Sequence, residues 1–272
     1  MVEPTTGGEF MRVLITGAGR AIGAATATEL ARAGHEVIAT ARDVAMLDSL
    51  EVAMRLTLDV TSEASIIEAL ANAGEIDAVV NNAASHGQGP LEDYPPDHLR
   101  EVFETNTFGP LRLLQHVLPS WRIRGHGVIV NISSVQGRVS SPLEGVYSGS
   151  KYALEAFSEA LHYEVRHFGI RTVIIEPGYI SPGMKPVPQL ERSPAYEGLW
   201  NDWDGTDAKL TGPTGRPGPE IVGRAVLRAI EDESTPLRVP VGADAELILA
   251  TRRELDDEEF EATMRQTLGL TW

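Results

Sequence analysis

Short apolar runs alternate with helical patterns through the first two thirds of this sequence. Runs at residues 13–15, 37–39, 55–58, 78–80, 128–130 and 172–175 are typical of buried strands, and stretches of helical spacing separate them. Parallel strands need long crossover connections, so the alternation predicts βαβ units and a parallel sheet with helices on both faces. Right-handed crossovers then make a doubly wound α/β sheet, whose ligand lies beyond the carboxyl ends of the strands.

The chain length and the later part of the sequence predict one domain with a long insert. The 272 residues fit a single α/β unit, which we assign to residues 11–272. Residues 1–10 are polar and glycine-bearing, so a flexible extension or an artificial remnant is expected there. Residues 179–219 are rich in proline and glycine without a clear period, as in functional or mobile inserts. A helix at 222–230, a last strand at 237–241 (about seven strands in all) and a helical tail from Asp244, with a solvated acidic face at 256–259, complete the prediction.

The composition excludes several classes of function. The 39 acidic and 23 basic residues give a net charge of −16, which argues against binding to nucleic acid or to an anionic membrane. The chain has no cysteine and its seven histidines lack a metal-binding spacing, so we expect no disulfide, no thiolate chemistry and no catalytic metal. No apolar run is long enough to span a bilayer and no signal peptide is recognisable, so a cytoplasmic location is expected.

Tyr147 and Lys151 form the pair of residues that most directly indicates chemistry. Their spacing puts both side chains on one face of a helix predicted at residues 146–167, one turn apart. An ammonium beside a phenol favours the phenolate, and lowering a tyrosine pKa of ~10 by ~3 pH units needs roughly 4 kcal/mol. Such a tyrosine can give or take a proton near neutral pH, as interconversion of alcohols and carbonyls requires. Without other motifs, this spacing would indicate an ordinary pair on a helix surface.

A glycine-bearing turn joins the first predicted strand to the first predicted helix. It reads Thr16-Gly17-Ala18-Gly19-Arg20-Ala21-Ile22-Gly23. Glycines at such a turn let a pyrophosphate approach the backbone closely at the N-terminus of a helix. In isolation this would be an ordinary glycine turn, and its spacing differs from the common G-x-G-x-x-G.

Together these motifs resemble those of the short-chain dehydrogenase/reductase family. The glycine loop is similar to that family's T-G-x-x-x-G-x-G, with Ala21 at the middle glycine, so slightly weaker cofactor binding is expected at most. Asp59-Val60 resembles its adenine-binding pair, Asn81-Asn82-Ala83-Ala84 its N-N-A-G motif, and Pro177-Gly178 its nicotinamide-side turn. The resemblance covers about residues 12–180 and implies a Rossmann-like fold with a nicotinamide cofactor, whose carboxamide would meet the backbone of Ile180.

The resemblance implies a set of cofactor-binding residues. They are Thr16, Gly17, Gly19, Arg20, Ala21, Ile22, Gly23, Arg42, Asp59, Val60, Asn82, Ala83, Ala84, Tyr147, Lys151, Pro177, Gly178 and Ile180. NAD binders of this fold carry an acidic residue at the end of the second strand, where this chain has Ala41 followed by Arg42. Two arginines, Arg42 and Arg20, suit a 2′-phosphate, and the nearby Asp43 is expected to lie beyond the strand. NADP(H) is therefore predicted over NAD(H).

The resemblance also implies four catalytic residues. Tyr147 would be the general acid in reduction and the general base in oxidation, and Lys151 would lower its pKa and hold the nicotinamide ribose. Ser134 would donate a hydrogen bond to the substrate oxygen, and Asn106 would support a water path to Lys151. Ser134 precedes Tyr147 by 13 residues, the family's spacing, which the rival Ser133 fits less well.

Two further groups of residues could face the substrate. His86 and Gln88 follow the fourth strand, where exposed loop positions are equally expected. The insert, where the family keeps its substrate lid, contains Met184, Tyr196, Trp200 and Trp203, which would line the substrate or pack on a neighbouring helix.

The sequence therefore predicts an NADP(H)-dependent oxidoreductase that interconverts a ketone or aldehyde with an alcohol by hydride transfer. The alternative is a non-catalytic NADP(H)-binding sensor or scaffold, against which the intact Ser134, Tyr147 and Lys151 speak. A sugar-nucleotide epimerase of the longer related branch fits the chain length and glycine spacing less well. By analogy with the family, we expect a small apolar substrate and a homodimer or homotetramer that pairs the long helices following the fourth and fifth strands.

Overall fold

The computed structural model describes residues 10–184, 190–206 and 215–271. Within them a parallel sheet runs in the order β3-β2-β1-β4-β5-β6-β7. The strands are β1 (Arg12–Ile15), β2 (Glu36–Ala41), β3 (Met54–Thr57), β4 (Ala78–Asn81), β5 (Gly127–Ile132), β6 (Ile170–Pro177) and β7 (Arg238–Val241). The chain moves outward from β1 to β3 and then returns to β4 on the other side of β1. This reversal is the switch point at which doubly wound folds bind ligands, and the predicted fold class is confirmed.

Helices cover both faces of the sheet. They are α1 (Ala21–Arg32), α2 (Glu63–Ala73), α3 (Pro96–Phe103), α4 (Gly109–Arg124), α5 (Gly145–Val165), α6 (Glu197–Asp204), α7 (Glu220–Glu231), α8 (Ala243–Glu254) and α9 (Asp257–Leu268). A π-helical turn at Glu104–Phe108 separates α3 from α4. Among the described residues, no helix combines the length and apolar character needed to cross a membrane.

Two apolar cores lie on opposite faces of the sheet because successive strand residues point to opposite sides. Val13 and Ile15 of β1 belong to the core under α1 and α7, whereas Leu14 belongs to the core under α2 and α4. In the second core the buried Trp121 donates its indole N–H to the carbonyl oxygen of Ile76 at 2.8 Å. The two packed faces hold the strand ends, and therefore the loops that follow them, in fixed positions.

The insert and the tail differ in detail from the sequence-based expectation. The insert is not wholly irregular, since it contains α6, and residues 185–189 and 207–214 of it lie outside the described residues. The predicted extension also lies outside them, apart from Phe10. The acidic run at residues 256–259 is exposed, as predicted, but it begins α9: Asp256 caps the helix and forms a capping box with Glu259. Carboxylates fit this position because the N-terminus of a helix carries a partial positive charge.

Candidate active site

A cleft of about 1070 Å³ opens at the carboxyl ends of the strands. The sequence-predicted residues that line it are Gly17, Gly19, Arg20, Ala21, Ile22, Arg42, Asp59, Val60, Asn82, Ala83, Ala84, Ser134, Tyr147, Lys151, Pro177, Gly178 and Ile180. Thr16, Gly23 and Asn106 support the cleft from behind its lining. The structure thus brings together motifs that are up to about 160 residues apart in the sequence.

The glycine loop is held open by hydrogen bonds from the loop after β4. The hydroxyl of Thr16 accepts from the backbone N–H groups of Asn82 and Ala83, both at 3.0 Å. The Asn82 amide donates to the carbonyl oxygens of Thr16 and Gly17 at 2.9 and 3.0 Å. A Cβ atom on Gly23 would lie 2.3 Å from the Gly17 carbonyl oxygen and 2.6 Å from the Asn82 amide nitrogen. Only glycine therefore lets α1 begin this close to the loop.

Ala21 adopts a backbone conformation that favours glycine. Its φ is +45°, in the left-handed region, where a Cβ atom costs about 1–2 kcal/mol. This is the position at which the resemblance places a glycine, so the alanine carries a conformational cost as well as the added methyl group. The backbone angle is set by the turn from β1 into α1 and could not be read from the residue type.

Two arginines stand at the end of the cleft beside β2. Arg20 and Arg42 are both exposed, and within the described part of the chain neither forms an ion pair. Asp43 lies beyond β2, as predicted, and its carboxylate caps the next turn by accepting from Ala45 N–H at 3.1 Å. The end of β2 therefore presents cations rather than a carboxylate to the cleft.

Tyr147 and Lys151 lie in the cleft on the same face of α5. The Lys151 ammonium is 5.7 Å from the centroid of the Tyr147 ring, and it donates to the carbonyl oxygen of Ile132 at 2.8 Å. Burial lowers the pKa of Lys151 to about 8, against the opposing effect of the Glu155 carboxylate. The ammonium is thus held at the end of β5 while it faces the phenol.

The phenol itself is not acidified in this structure, which corrects the sequence-based expectation. Burial raises the pKa of Tyr147 above its ordinary value, a hydrogen bond with Ser134 opposes this rise, and the Glu144 carboxylate adds to it. Desolvation dominates because a buried phenolate loses the stabilisation that water provides, and the hydrogen bond with Ser134 offsets only part of that loss.

Ser134 is the serine that contacts Tyr147. It caps the turn after β5, where its hydroxyl oxygen accepts a hydrogen bond from the Gln136 N–H at 3.1 Å. Its side chain also forms a hydrogen bond with the Tyr147 phenol. The Ser133 hydroxyl is buried and has no hydrogen-bond partner among the described residues. The geometry therefore favours Ser134 over Ser133 for contact with a substrate oxygen.

Asn106 connects two walls of the site. It lies in the π-helical turn and is fully buried, and its side-chain oxygen accepts from the Ser85 N–H at 2.7 Å. Its amide donates to the Ser85 carbonyl oxygen at 2.8 Å and to the Ser150 hydroxyl at 2.9 Å. The side chain thus ties the loop after β4 to α5, and the water path that the resemblance implies stays a prediction.

The substrate side of the cleft contains residues that sequence reasoning missed or left open. Glu144 was not singled out, although it is buried and binds both His86 and Gln88. All three line the cleft, as do Met184 and Trp203. The three residues of the cluster come from two distant loops, and the only sequence signal was an acid three residues before Tyr147.

The aromatic residues of the insert have mixed roles. Trp200 and Trp203 are buried in a small core with Leu143, Leu199 and Leu268, against which Tyr196 also packs. Trp203 also reaches the cleft, so this side chain both packs in the small core and lines the cleft.

The residues present fit a dinucleotide. The glycine cradle has no room for side chains at Gly17 and Gly23, where added Cβ atoms would lie 2.9 and 2.3 Å from neighbouring backbone atoms. Arginines stand at one end of the cleft and a buried ammonium at the other. This is the arrangement that a molecule with a pyrophosphate centre and two ribose ends requires.

Comparisons with known proteins agree with this geometry. Residues 11–190 match the family model described as short chain dehydrogenase. The chain is 30% identical over 260 residues to 3-ketodihydrosphingosine reductase of Bacteroides thetaiotaomicron, covering 93% of this chain and 96% of that protein. It is similar to a short-chain dehydrogenase from Streptomyces avermitilis, with a TM-score of 0.80, 34% identity and coverage of 99% and 98%. A gluconate 5-dehydrogenase from Burkholderia cenocepacia, crystallised with NADP and tartrate, gives a TM-score of 0.69, 26% identity and coverage of 87% and 95%.

Proposed function

This chain belongs to the short-chain dehydrogenase/reductase family, and we propose that it is an NADP(H)-dependent oxidoreductase that interconverts a ketone or aldehyde with an alcohol. The observation that carries the proposal is the Tyr147 phenol, bonded to Ser134 and facing the Lys151 ammonium, in the same cleft as the glycine loop. A proton donor, a second hydroxyl and a nucleotide cradle at one place are what carbonyl reduction needs.

The chain's own residues position the substrate oxygen and move its proton. When bound, the nicotinamide supplies or accepts the hydride. In reduction, the hydroxyls of Ser134 and Tyr147 hydrogen-bond the carbonyl oxygen, and Tyr147 gives its proton to the alkoxide that develops there. In oxidation, Tyr147 takes the proton back, and Lys151 holds the nicotinamide ribose. Asn106 keeps α5 and the loop after β4 at the separation that this geometry requires, and we propose a water path from it to Lys151.

The pyrophosphate would lie on the glycine loop and the adenosine half beside β2 and β3. Gly17, Gly19, Ala21 and Ile22 would contact the pyrophosphate, with Thr16 and Gly23 supporting the loop. Asp59 and Val60 would flank the adenine, while Asn82, Ala83 and Ala84 and the turn Pro177, Gly178 and Ile180 would enclose the nicotinamide half.

Arg20 and Arg42 support a preference for NADP(H), because a 2′-phosphate there would meet two guanidinium groups without ion-pair partners among the described residues. We expect Arg42→Ala to lower the ratio of kcat/KM for NADPH over NADH by about 10- to 100-fold, the loss of one charge-assisted contact. The measurement is steady-state kinetics with both cofactors at one salt concentration. Arg32→Ala, which removes an exposed arginine from α1, is the matched control and should leave the ratio unchanged.

The proposal itself is tested by mixing the protein with NADPH and a panel of ketones and aldehydes. We expect substrate-dependent NADPH consumption, with apolar carbonyls favoured because Met184 and Trp203 line the cleft. NADPH binding without turnover across the panel would support the alternative, a non-catalytic NADP(H)-binding sensor or scaffold.

A homodimer or homotetramer is proposed on the same family resemblance. Exposed apolar residues on α4 and α5, among them Ile123, Phe157 and Tyr163, support pairing through these helices. The cytoplasmic location stays a prediction from the sequence.

A further inference from the structure

We infer that Glu144, fixed by His86 and Gln88, is a positioning residue that keeps the Tyr147 hydroxyl in its proton-donating form and so widens the alkaline range in which this site reduces a carbonyl. This role rests on the proposed function, in which Tyr147 is the acid–base group. It concerns a residue outside the four catalytic positions that the family resemblance implies.

Glu144 is a buried carboxylate with both oxygens engaged. It directly precedes α5, is 3% exposed, and its backbone carbonyl oxygen accepts from Ser148 N–H at 2.8 Å. One side-chain oxygen lies 2.6 Å from Nε2 of His86, and the other accepts from the Gln88 amide at 2.8 Å. A carboxylate this deeply buried needs such donors, because unpaired burial of a charge is very costly.

His86 and Gln88 together form a clamp on the Glu144 carboxylate, and His86 links that carboxylate to Tyr147. The His86 ring, whose Nε2 meets the carboxylate, packs edge-on against the Tyr147 ring with 5.1 Å between centroids. The loop that carries His86 is tightly packed, since a Cβ atom on Gly87 would lie 2.7 Å from the Tyr94 hydroxyl and 3.0 Å from Val146. The carboxylate therefore keeps a fixed position relative to the phenol.

A negative charge held near a phenol disfavours the phenolate. Burial has the largest effect on the pKa of Tyr147 and raises it, the Ser134 hydrogen bond opposes this rise, and the Glu144 carboxylate adds to it. Burial and then Glu144 raise the pKa of Tyr179, while burial, Glu101 and then Glu144 raise that of Tyr94. Three phenols from three parts of the chain thus respond to this one carboxylate, as expected in surroundings that screen charge poorly.

The other groups around Tyr147 oppose Glu144 or are neutral. Ser134, after β5, hydrogen-bonds the phenol, and Tyr179, after β6, is a second phenol that responds to Glu144. Lys151, on the same helix, favours the phenolate, but burial lowers the pKa of Lys151 to about 8, so its positive charge is lost as the pH rises past that value. At alkaline pH the carboxylate is therefore still opposed by the Ser134 hydrogen bond, but no longer by an ammonium charge.

Glu144→Gln tests this role because it removes the charge and keeps the size and an acceptor for Gln88. In the variant, the pH at which reductive kcat/KM begins to fall is expected to move down by about one pH unit, which is about tenfold more phenolate at a given pH. The oxidative kcat/KM should reach its plateau at a correspondingly lower pH. NMR titration of ring-labelled tyrosine, with the Tyr147 signal assigned through Tyr147→Phe, should show the same downward shift without any turnover.

Two controls separate charge from structure. Glu101→Gln removes an exposed carboxylate from the rim of the same cleft and should leave the titration in place. Gln88→Ala weakens the clamp but keeps the charge, so KM should rise without a downward shift of the profile. An unchanged Tyr147 titration in Glu144→Gln, or an equal shift in Gln88→Ala, would overturn the inference. If no carbonyl is reduced at all, the proposed function fails, and the NMR titration still decides whether Glu144 acts on Tyr147.

Discussion

Tyr147→Phe is expected to lower kcat for carbonyl reduction by about 10²- to 10⁴-fold, the range that a positioned general acid contributes. The variant removes one hydroxyl and leaves the ring, which packs against His86 at 5.1 Å between centroids. Ser134 would still hydrogen-bond the carbonyl oxygen, but an ordinary serine hydroxyl is a much weaker proton donor. Binding of NADPH should change little, because the glycine loop, the arginines and Lys151 are untouched.

Two quantities are measured for wild type and variant: kcat at saturating NADPH, and the dissociation constant of NADPH from fluorescence or calorimetry. Tyr163→Phe is the matched control, since it makes the same change on the same helix at a side chain that is 71% exposed. Retained turnover in Tyr147→Phe would remove this residue from the acid–base role. Loss of NADPH binding together with turnover would indicate a disturbed cleft rather than missing chemistry.

The sheet could be predicted from the sequence because each strand is a short apolar run between turn residues. Val13, Leu14 and Ile15 are all fully buried, which a strand packed on both faces requires. The third strand was predicted one residue late, since its register with β2 (Ala41 opposite Thr57) depends on a partner strand and not on local composition.

The helix in the insert could not be predicted because its apolar residues are paired with distant parts of the chain. Leu199, Trp200 and Trp203 of α6 are buried against Leu143, which precedes α5, and Leu268, at the end of α9. A helix of eight residues has little stability of its own, so this tertiary packing, rather than local propensity, stabilises it.

The candidate site, like the fold, could be predicted from the sequence only in part. The spacing of Tyr147 and Lys151 correctly predicted that both would lie on one face of α5, because helical periodicity is a local property. The direction of the Tyr147 pKa was predicted wrongly, since it depends on burial by loops from elsewhere and on Glu144. Glu144 itself was missed because its partner His86 is 58 residues away in the sequence.

A second group of buried carboxyls lies behind the site, on the side of β6 that faces α5. Glu176 of β6 is 2% exposed and Glu155 of α5 is 3% exposed. Arg238 of β7 donates a hydrogen bond to the Glu155 carboxylate at 2.9 Å. Two guanidinium groups approach the Glu176 carboxylate, that of Arg138 at 3.5 Å and that of Arg238 at 3.9 Å. Burial, and then the Glu155 carboxylate, raise the pKa of Glu176 to about 7, against the smaller opposing effects of Arg138 and Arg238.

Glu176→Gln is therefore expected to stabilise the fold by about 3 kcal/mol above pH 7, because a rise in pKa from 4.5 to about 7 corresponds to that free energy. Below pH 4.5 the carboxyl is neutral in both folded and unfolded chains, so wild type and variant should be equally stable there. As the pH rises from 4.5 to about 7, the unfolded chain ionises first, so the wild type loses stability that the neutral glutamine keeps. Urea unfolding at a series of pH values measures the difference in free energy of unfolding between variant and wild type. This difference should grow between pH 4.5 and about 7 and then stay constant.

Glu159→Gln is the matched control for that series. It neutralises another carboxylate that is paired with Arg238, but Glu159 is 44% exposed and its pKa is lowered by the Arg238 hydrogen bond. The sign of its effect is therefore opposite: removing this carboxylate should cost stability at neutral pH, by no more than about 1 kcal/mol for an exposed pair. If Glu176→Gln instead destabilised the protein at neutral pH, the attraction of Arg138 and Arg238 would outweigh desolvation, and the Glu176 carboxylate would be a stabilising part of the core.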